Sequence, residues 1–183
     1  MKSVAAFSML VASVLAQEGP AYFSVISARS ASPVHLLPLN ANGGKFYLGG
    51  TASGYCPPTV GETCDKYPGN ETVLAGGYGT LSLGVIVPGG QQVYVAPDAT
   101  LSYTVPHSAY IPEGSVVDGW SRTERDNSLG SLAFEGGLVA CPTGEGKPWQ
   151  VYGQVANFTA PSAECLGFSA ITYNSTDAGA WEY

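Results

Sequence analysis

Four cysteines have the most definite chemistry in this chain. They are Cys56, Cys64, Cys141 and Cys165, an even set. In an oxidising compartment such a set forms disulfides by default. Cysteines that are near in sequence meet most easily, so we favour the pairs Cys56–Cys64 and Cys141–Cys165, while the two other connectivities remain open. The chain-entropy relation assigns these pairs about 2.6 and about 3.5 kcal/mol of stabilisation.

The two histidines are the next candidates for metal or proton chemistry. The chain has no Cys-x-x-Cys spacing, and only His35 and His107 could add imidazole ligands, so the sequence predicts no metal site and no cofactor. Either imidazole could act as a general base. However, His35 lies in a predicted apolar strand and His107 in a connection between Pro106 and Ser108, which favours hydrogen-bonded structural roles.

Other catalytic patterns are incomplete. The segment GFSAI at 167–171 resembles the hydrolase elbow G-x-S-x-G around Ser169 but lacks its final glycine. Acidic residues are dispersed, so no pair suited to glycoside hydrolysis can be assigned. The segment DNSLG at 126–130 begins like a calcium loop but lacks the closing glutamate, which favours an ordinary polar turn. We therefore predict that the protein is not an enzyme.

Three N-glycosylation sequons begin at Asn70, Asn157 and Asn174. Asn70 lies in a polar stretch after Cys64, and Asn174 follows a predicted strand at 166–173, where the chain should turn outward. Asn157 has apolar neighbours. Because glycan transfer needs an accessible acceptor, we expect higher occupancy at Asn70 and Asn174 than at Asn157.

The first sixteen residues indicate a secreted protein. Lys2 precedes an apolar run at 4–15 that closes on Val14-Leu15-Ala16, the pattern of a cleaved signal peptide. Residues 17–183 would then form a single secreted β domain. The C-terminal residues 177–183 carry no hydrophobic tail, so we expect no membrane anchor. The chain has a formal net charge of −7 with only 7 Lys and Arg, which makes nucleic acid a poor partner.

Short apolar alternations separated by glycine-rich turns predict the elements that would position these residues. In residues 80–87 the side chains of Leu81, Leu83, Val85 and Val87 share one face. Hairpins are expected at 34–48 around an Asn-Gly turn, at 80–95 and at 132–141. Other expected strands are 22–28, 72–75, 101–104, 116–120, 150–154 and 166–173. This pattern predicts an all-β, single-domain antiparallel sandwich or barrel stapled by two disulfides, with a β-trefoil as the alternative.

Two long sequence segments resemble a known family. The first is FSVISARSASPVHL at 23–36 with NANGGKFYLG at 40–49, and the second is VPGGQQVYVAPD at 87–98 with LSYT at 101–104 and HSAYIP at 107–112. Both resemble the PhiA-like phialide-development cell-wall proteins of filamentous fungi, a group also described as IgE-binding proteins. One departure is Ala99-Thr100, where the family pattern leads us to expect a turn that contains glycine.

The resemblance implies a secreted, non-enzymatic glycoprotein of the fungal cell wall with a role in the development of phialides and conidia. Its expected partners are wall polysaccharide or other wall proteins. The alternative is a soluble, lectin-like secreted module, suggested by eleven Tyr and three Trp on a β-scaffold. Trp120, Trp149 and Trp181 are the obvious candidates for stacking on sugars, although aromatic side chains in strands more often belong to the core.

Overall fold

The computed structural model describes residues 22–124 and 129–183, so the predicted signal peptide and residues 126–128 of the calcium-like segment lie outside the described residues. The described chain is built almost wholly of antiparallel β-strands, with a 3-10 turn at Pro58–Val60 and a single helical turn, α1, at Thr63–Lys66. The strands are β1 Tyr22–Ala28, β2 Leu39–Asn42, β3 Lys45–Leu48, β4 Leu74–Leu83, β5 Val93–Val95, β6 Leu101–Tyr103, β7 Trp120–Glu124, β8 Leu129–Phe134, β9 Leu138–Pro142, β10 Trp149–Gly153 and β11 Leu166–Ser175.

Five of these strands form a ring. Strand β1 pairs with β4 on one side and with β11 on the other, and the ring continues from β4 through β7 and β8 back to β11. The β1–β11 ladder runs from Tyr22 opposite Ser175 to Ala28 opposite Ser169. In the order of pairing, β11 follows β8 and precedes β9.

The remaining strands extend the sheet from the first residues of β11. Its residues 166–168 pair with β9, and the order continues through β10, β3 and β6 to β5. Strand β2 lies off this path and pairs with β3. A bridge between Ser82 and Gln92 connects the start of β5 to the end of β4. The result is a curled antiparallel sheet, a half-barrel, which confirms the predicted all-β fold class. Its strand order, within the described ranges, lacks the threefold repeat of a β-trefoil.

Alternation along each strand sends apolar side chains into one core. In β3, Phe46 and Leu48 are fully buried, whereas Tyr47 between them is half-buried on the outward face. The phenyl ring of Phe46 meets the ring of Tyr103 edge-on at 5.3 Å between centroids. Burial of each large apolar side chain contributes about 1.5–3 kcal/mol, so this cluster dominates the stability of the fold. The predicted shared face of Leu81, Leu83 and Val87 is buried here too, and Val85 packs against it.

Both favoured disulfides are confirmed. Cys56 bonds to Cys64 across the 3-10 turn, with a Cα–Cα distance of 5.7 Å. Cys141 in β9 bonds to Cys165, directly before β11, with a Cα–Cα distance of 4.2 Å. The second bond therefore joins two strands that are also hydrogen-bonded neighbours.

The first predicted hairpin is only half right. The Asn-Gly turn is confirmed, since Gly43 and Gly44 have φ angles of 57° and 79° and connect β2 to β3. Residues 34–36, predicted to be strand, form a turn in which Leu36 has a φ of 59°. The Ser27 hydroxyl holds this turn by bonding to the carbonyl of Val34 and to the amide of Leu37. Apolar residues near one another in sequence do not distinguish such a turn from a strand, and here only Val34 is buried while His35 and Leu36 are exposed.

The predicted hairpin at 132–141 is wrong. The turn at Glu135-Gly136-Gly137 exists, but β8 and β9 do not pair, because β11 lies between them. Gly136 passes so close to the backbone of Gln154 that a Cβ there would overlap the Gln154 carbonyl. Smaller corrections concern strand ends: β4 runs from Leu74 to Leu83, and only Val116 of the predicted strand 116–120 forms a bridge before β7 begins at Trp120.

Candidate functional site

The structure keeps the sequence-predicted catalytic candidates apart. His35 is exposed in the turn after β1, where its Nδ1 accepts a hydrogen bond of 3.2 Å from the amide of Arg29. His107 is exposed after β6, has a φ of 60° and lines a cavity of about 290 Å³. Ser169 lies on β11 and lines a different cavity, to which neither histidine contributes. No nucleophile and base are therefore brought together by these three residues.

Two negative findings concern the described parts of the chain only. Within residues 22–124 and 129–183, no cluster of three or more His, Cys, Asp or Glu side chains could hold a metal ion. Over the same ranges, no helix has the length and apolar character needed to cross a membrane.

Of the three tryptophans, Trp120 is poorly placed to stack on a ligand. Trp120 is only 3% exposed, and its ring lies 5.1 Å from that of Phe134 in the core. Trp149 and Trp181 are half-buried, and Trp149 packs against the core. The sequence-based interest in these residues as sugar platforms is therefore misplaced for Trp120, whose ring is covered.

A groove on the outward face of the sheet is the best candidate site. We call it the Tyr47 groove; it has a volume of about 600 Å³ and is formed on one side by Tyr47 with Asn42 and residues 49–51. Thr143, residues 147–148 and Gln150 form the other side. Tyr47 of β3 and Gln150 of β10 are cross-strand partners, so their side chains stand next to each other.

Hydrogen bonds from a buried asparagine fix the loop at residues 49–50, which lines one side of the groove. Gly49 and Gly50 have φ angles of 78° and 69°, which side chains other than glycine rarely adopt. Asn40 is only 5% exposed, and its Nδ2 donates to the carbonyls of both glycines, at 3.2 and 3.1 Å. A Cβ on Gly50 would also lie 3.2 Å from Pro148 across the groove. This loop is therefore held by two hydrogen bonds and lies close to the opposite side of the groove.

A smaller cavity lies beside the same loop. It has a volume of about 200 Å³, shares Gly50 and Thr51 with the Tyr47 groove, and reaches Asn70 and Glu71. Ser24 also lines it, and among the described residues the buried Ser24 hydroxyl has no hydrogen-bond partner. A buried hydroxyl without a partner costs free energy, so Ser24 is a local weak point in the packing beside this cavity.

Hydroxyl groups near the site remain protonated, while one nearby carboxyl is favoured in its charged form. Burial raises the pKa of Tyr152 and of Tyr103, both of which lie near Tyr47. The Thr100 hydroxyl donates to Asp98 Oδ1 at 2.6 Å and holds the pKa of that carboxyl below its usual range. The groove lining itself carries one charged side chain, the exposed Lys147.

The three sequon asparagines are all exposed, and their occupancy stays a prediction. Asn157 lies in an exposed turn, which is more open than its sequence neighbours suggested. Asn174 lies within β11, which extends to Ser175, so the expectation that the chain turns outward after Tyr173 is wrong. The Oδ1 atom of Asn174 accepts a hydrogen bond of 2.8 Å from Arg122. Since a glycan would attach to Nδ2, this bond is compatible with glycosylation.

Fold and disulfides together define a small, disulfide-linked antiparallel β-protein of the kind that folds in oxidising compartments. The chain belongs to the PhiA-like secreted protein family, which it matches over residues 23–183. It is 40% identical over 159 residues to an uncharacterized secreted protein of Arthroderma benhamiae, an alignment that covers 82% of this chain and 79% of that relative. No solved structure matches the chain. The resemblance of the two long sequence segments to the PhiA-like family is thus confirmed at the level of the family.

Proposed function

We propose that this protein is a non-enzymatic component of the fungal cell wall with a role in the formation of phialides and conidia. The observation that carries the proposal is membership of the PhiA-like secreted protein family over residues 23–183. The likeness of the sequence segments at 23–49 and 87–112 to phialide-development proteins supports the developmental role. Two disulfides and a curled, hydrogen-bonded sheet suit a protein that must persist outside the cell.

Deletion of the gene tests this role directly. We expect malformed phialides and a reduced yield of conidia, both restored by the intact gene. A matched control gene that lacks residues 2–16 should fail to restore them, because its product is not exported. Normal phialides and a normal spore yield in the deletion strain would overturn the developmental role.

Fractionation tests the location. An antibody against the folded protein should detect it in washed walls of conidiating cultures and in the medium, with the wall fraction larger. Recovery in the culture medium alone would contradict the wall assignment while leaving secretion intact.

Glycan binding is the second candidate function. It is favoured by the Tyr47 groove, in which a half-exposed tyrosine ring adjoins amide and hydroxyl side chains. Retention on insoluble chitin, β-glucan and mannan separates this function from a purely structural one. Absence from all three bound fractions would remove the lectin-like function.

A further inference from the structure

We propose that the Tyr47 groove binds a single chain of a neutral wall polysaccharide, with Tyr47 as the platform for a sugar ring and Gln150 and Asn42 as its hydrogen-bonding partners. The proposal rests on the second candidate function and assigns that function to a site.

The geometry at Tyr47 matches the two-sided chemistry of a hexopyranose. Such a ring presents C–H groups on its faces and hydroxyls around its edge. A half-exposed Tyr47 ring offers an apolar surface to a face, and Gln150, its cross-strand partner, stands beside that surface. A side-chain amide both donates and accepts, so one amide can bond to two neighbouring hydroxyls of a sugar.

Polar groups of the groove keep hydrogen-bonding capacity. Within the described residues, neither the Gln150 amide nor the Tyr47 hydroxyl has a hydrogen-bond partner. Asn42 Nδ2 donates to the Thr51 carbonyl at 3.1 Å, which orients the amide and leaves its oxygen available. Asn42 is therefore oriented by its own contact, while Gln150 and Tyr47 keep polar groups that can bond to a ligand.

The charge of the lining selects an uncharged ligand. The whole chain has a formal net charge of −7, which repels acidic polymers at long range. Lys147 is the one charged side chain in the groove lining, and a single exposed cation binds a polyanion weakly. Amides, hydroxyls and an aromatic ring remain as the binding chemistry, and these suit hydroxyl groups and sugar faces.

The volume of the site indicates a chain rather than a single sugar. The Tyr47 groove encloses about 600 Å³, which accommodates more than one linked ring.

Titration with soluble oligosaccharides of chitin, β-glucan and mannan tests the proposal on the full secreted protein. We expect calorimetry to detect binding to one of the three classes, with little dependence on salt. Tyr47→Ala and Gln150→Ala should each weaken that binding about tenfold or more. The matched control is Tyr78→Ala, which removes a tyrosine that is 68% exposed on β4, and it should bind as the wild type does.

Further variants keep the test decisive. If Tyr47→Ala fails to fold, Tyr47→Phe should bind and Tyr47→Leu should not, because only the former keeps an aromatic face. Lys147→Gln should bind as the wild type does. Loss of binding in Lys147→Gln together with strong salt sensitivity would indicate an acidic ligand and overturn the proposal.

Other outcomes separate this site from the wall function. No binding to any of the three oligosaccharide classes would overturn the site, and unchanged binding in Tyr47→Ala and Gln150→Ala would place the ligand elsewhere. A deletion phenotype without oligosaccharide binding would leave the wall role standing and remove only the groove. Oligosaccharide binding without a deletion phenotype would leave the groove standing and remove the wall role.

Discussion

Arg122 is an almost fully buried cation within the five-stranded ring. Its side chain is 1% exposed; Nη1 lies 3.0 Å from Glu124 Oε1, and Nη2 donates to Asn174 Oδ1 at 2.8 Å. The guanidinium carbon is 4.0 Å from the centroid of the Phe23 ring. A buried charge needs such partners, because the loss of its hydration is otherwise costly. Arg122 thus connects β7 to β1 and β11 by polar contacts inside an apolar ring.

We expect Arg122→Ala to lower the free energy of unfolding by about 3 kcal/mol, because it removes these contacts and leaves a cavity beside Phe23. Glu124, which is 46% exposed, can be rehydrated and limits the loss. The measurement is denaturant unfolding. The matched control is Lys66→Ala, which breaks the exposed ion pair with Asp177 and should leave the unfolding midpoint unchanged. Equal effects of the two variants would contradict the structural role of Arg122.

Asp98 should make the stability of the protein sensitive to acid. Because the Thr100 hydroxyl and amide hold the pKa of Asp98 below its unfolded value, the unfolded chain binds more protons between the two pKa values. The stabilisation is therefore complete above about pH 4, the range of unfolded carboxyls, and is lost as the pH falls through the folded pKa. Unfolding curves from about pH 2 to pH 6 should show Asp98→Asn less stable than the wild type near pH 6 and converging with it in acid. Parallel curves would refute the linkage.

Ala99, next to Asp98, explains one departure from the family pattern. The sequence led us to expect a glycine-containing turn here, and Ala99 adopts the left-handed backbone of such a turn, with a φ of 66°. It is 3% exposed and part of the core. The turn geometry is therefore kept, and the methyl group adds a core contact that glycine would lack.

Among the strands, β10 depends on a glycine that has no unusual backbone angle. A Cβ on Gly153 would lie 2.6 Å from Val95 Cγ2 and 3.0 Å from Phe134 Cε1. We expect Gly153→Ala to lower the free energy of unfolding by about 1–3 kcal/mol through overpacking. Gly167→Ala in β11 is the matched control, since its nearest contact would be Leu138 O at 3.8 Å, and it should be neutral or slightly stabilising. Chemical denaturation compares the two, and a neutral Gly153→Ala would show that the core yields there.

Local sequence signals predicted part of this architecture. Alternation predicted β1 with its observed bounds, and short sequence separation predicted the Cys56–Cys64 bond. The neighbours of β8 and β9 could not be predicted, because β11 enters between them from a distant part of the chain. Strand order of this kind is decided by contacts across the whole core and not by the turn between two strands.

The candidate site was missed for a related reason. From the sequence we named only the tryptophans as platforms for sugars and did not consider Tyr47. In addition, the groove is assembled from segments near residues 42–51 and 143–150, which meet only in the folded sheet. The Gly49-Gly50 pair directly after β3 was the available signal, since paired glycines after a strand mark a loop with a special backbone.

At the scale of the whole molecule, the C-terminal segment closes one side of the core. Gln91 is only 1% exposed, and its amide bonds to both backbone groups of Tyr183, each at 2.8 Å, and to the Thr104 carbonyl at 3.0 Å. The Tyr183 hydroxyl reaches Glu71 and Val73. Residues 178–183 are therefore fixed between loops that are distant from them in sequence.

We expect Gln91→Ala to lower the free energy of unfolding by about 2–3 kcal/mol, because it leaves the Thr104 carbonyl and both Tyr183 groups without their partner. The same variant should speed amide hydrogen exchange in residues 178–183 relative to the wild type under native conditions. Gln92→Ala, which changes the adjacent, half-buried side chain, is the control. Equal exchange rates in all three proteins would show that Gln91 does not hold the segment.

The ladder between β1 and β11 also sets the order in which the molecule can form. It joins residues 22–28 to residues 169–175, so the ring cannot close until both ends of this long stretch of chain are present. Until β11 emerges, β1 and β8 expose unpaired edges that could pair with other chains. A long-range closure of this kind slows folding and prolongs the exposure of these edges. The step that closes the ring is therefore the one during which the chain is most open to pairing with other chains.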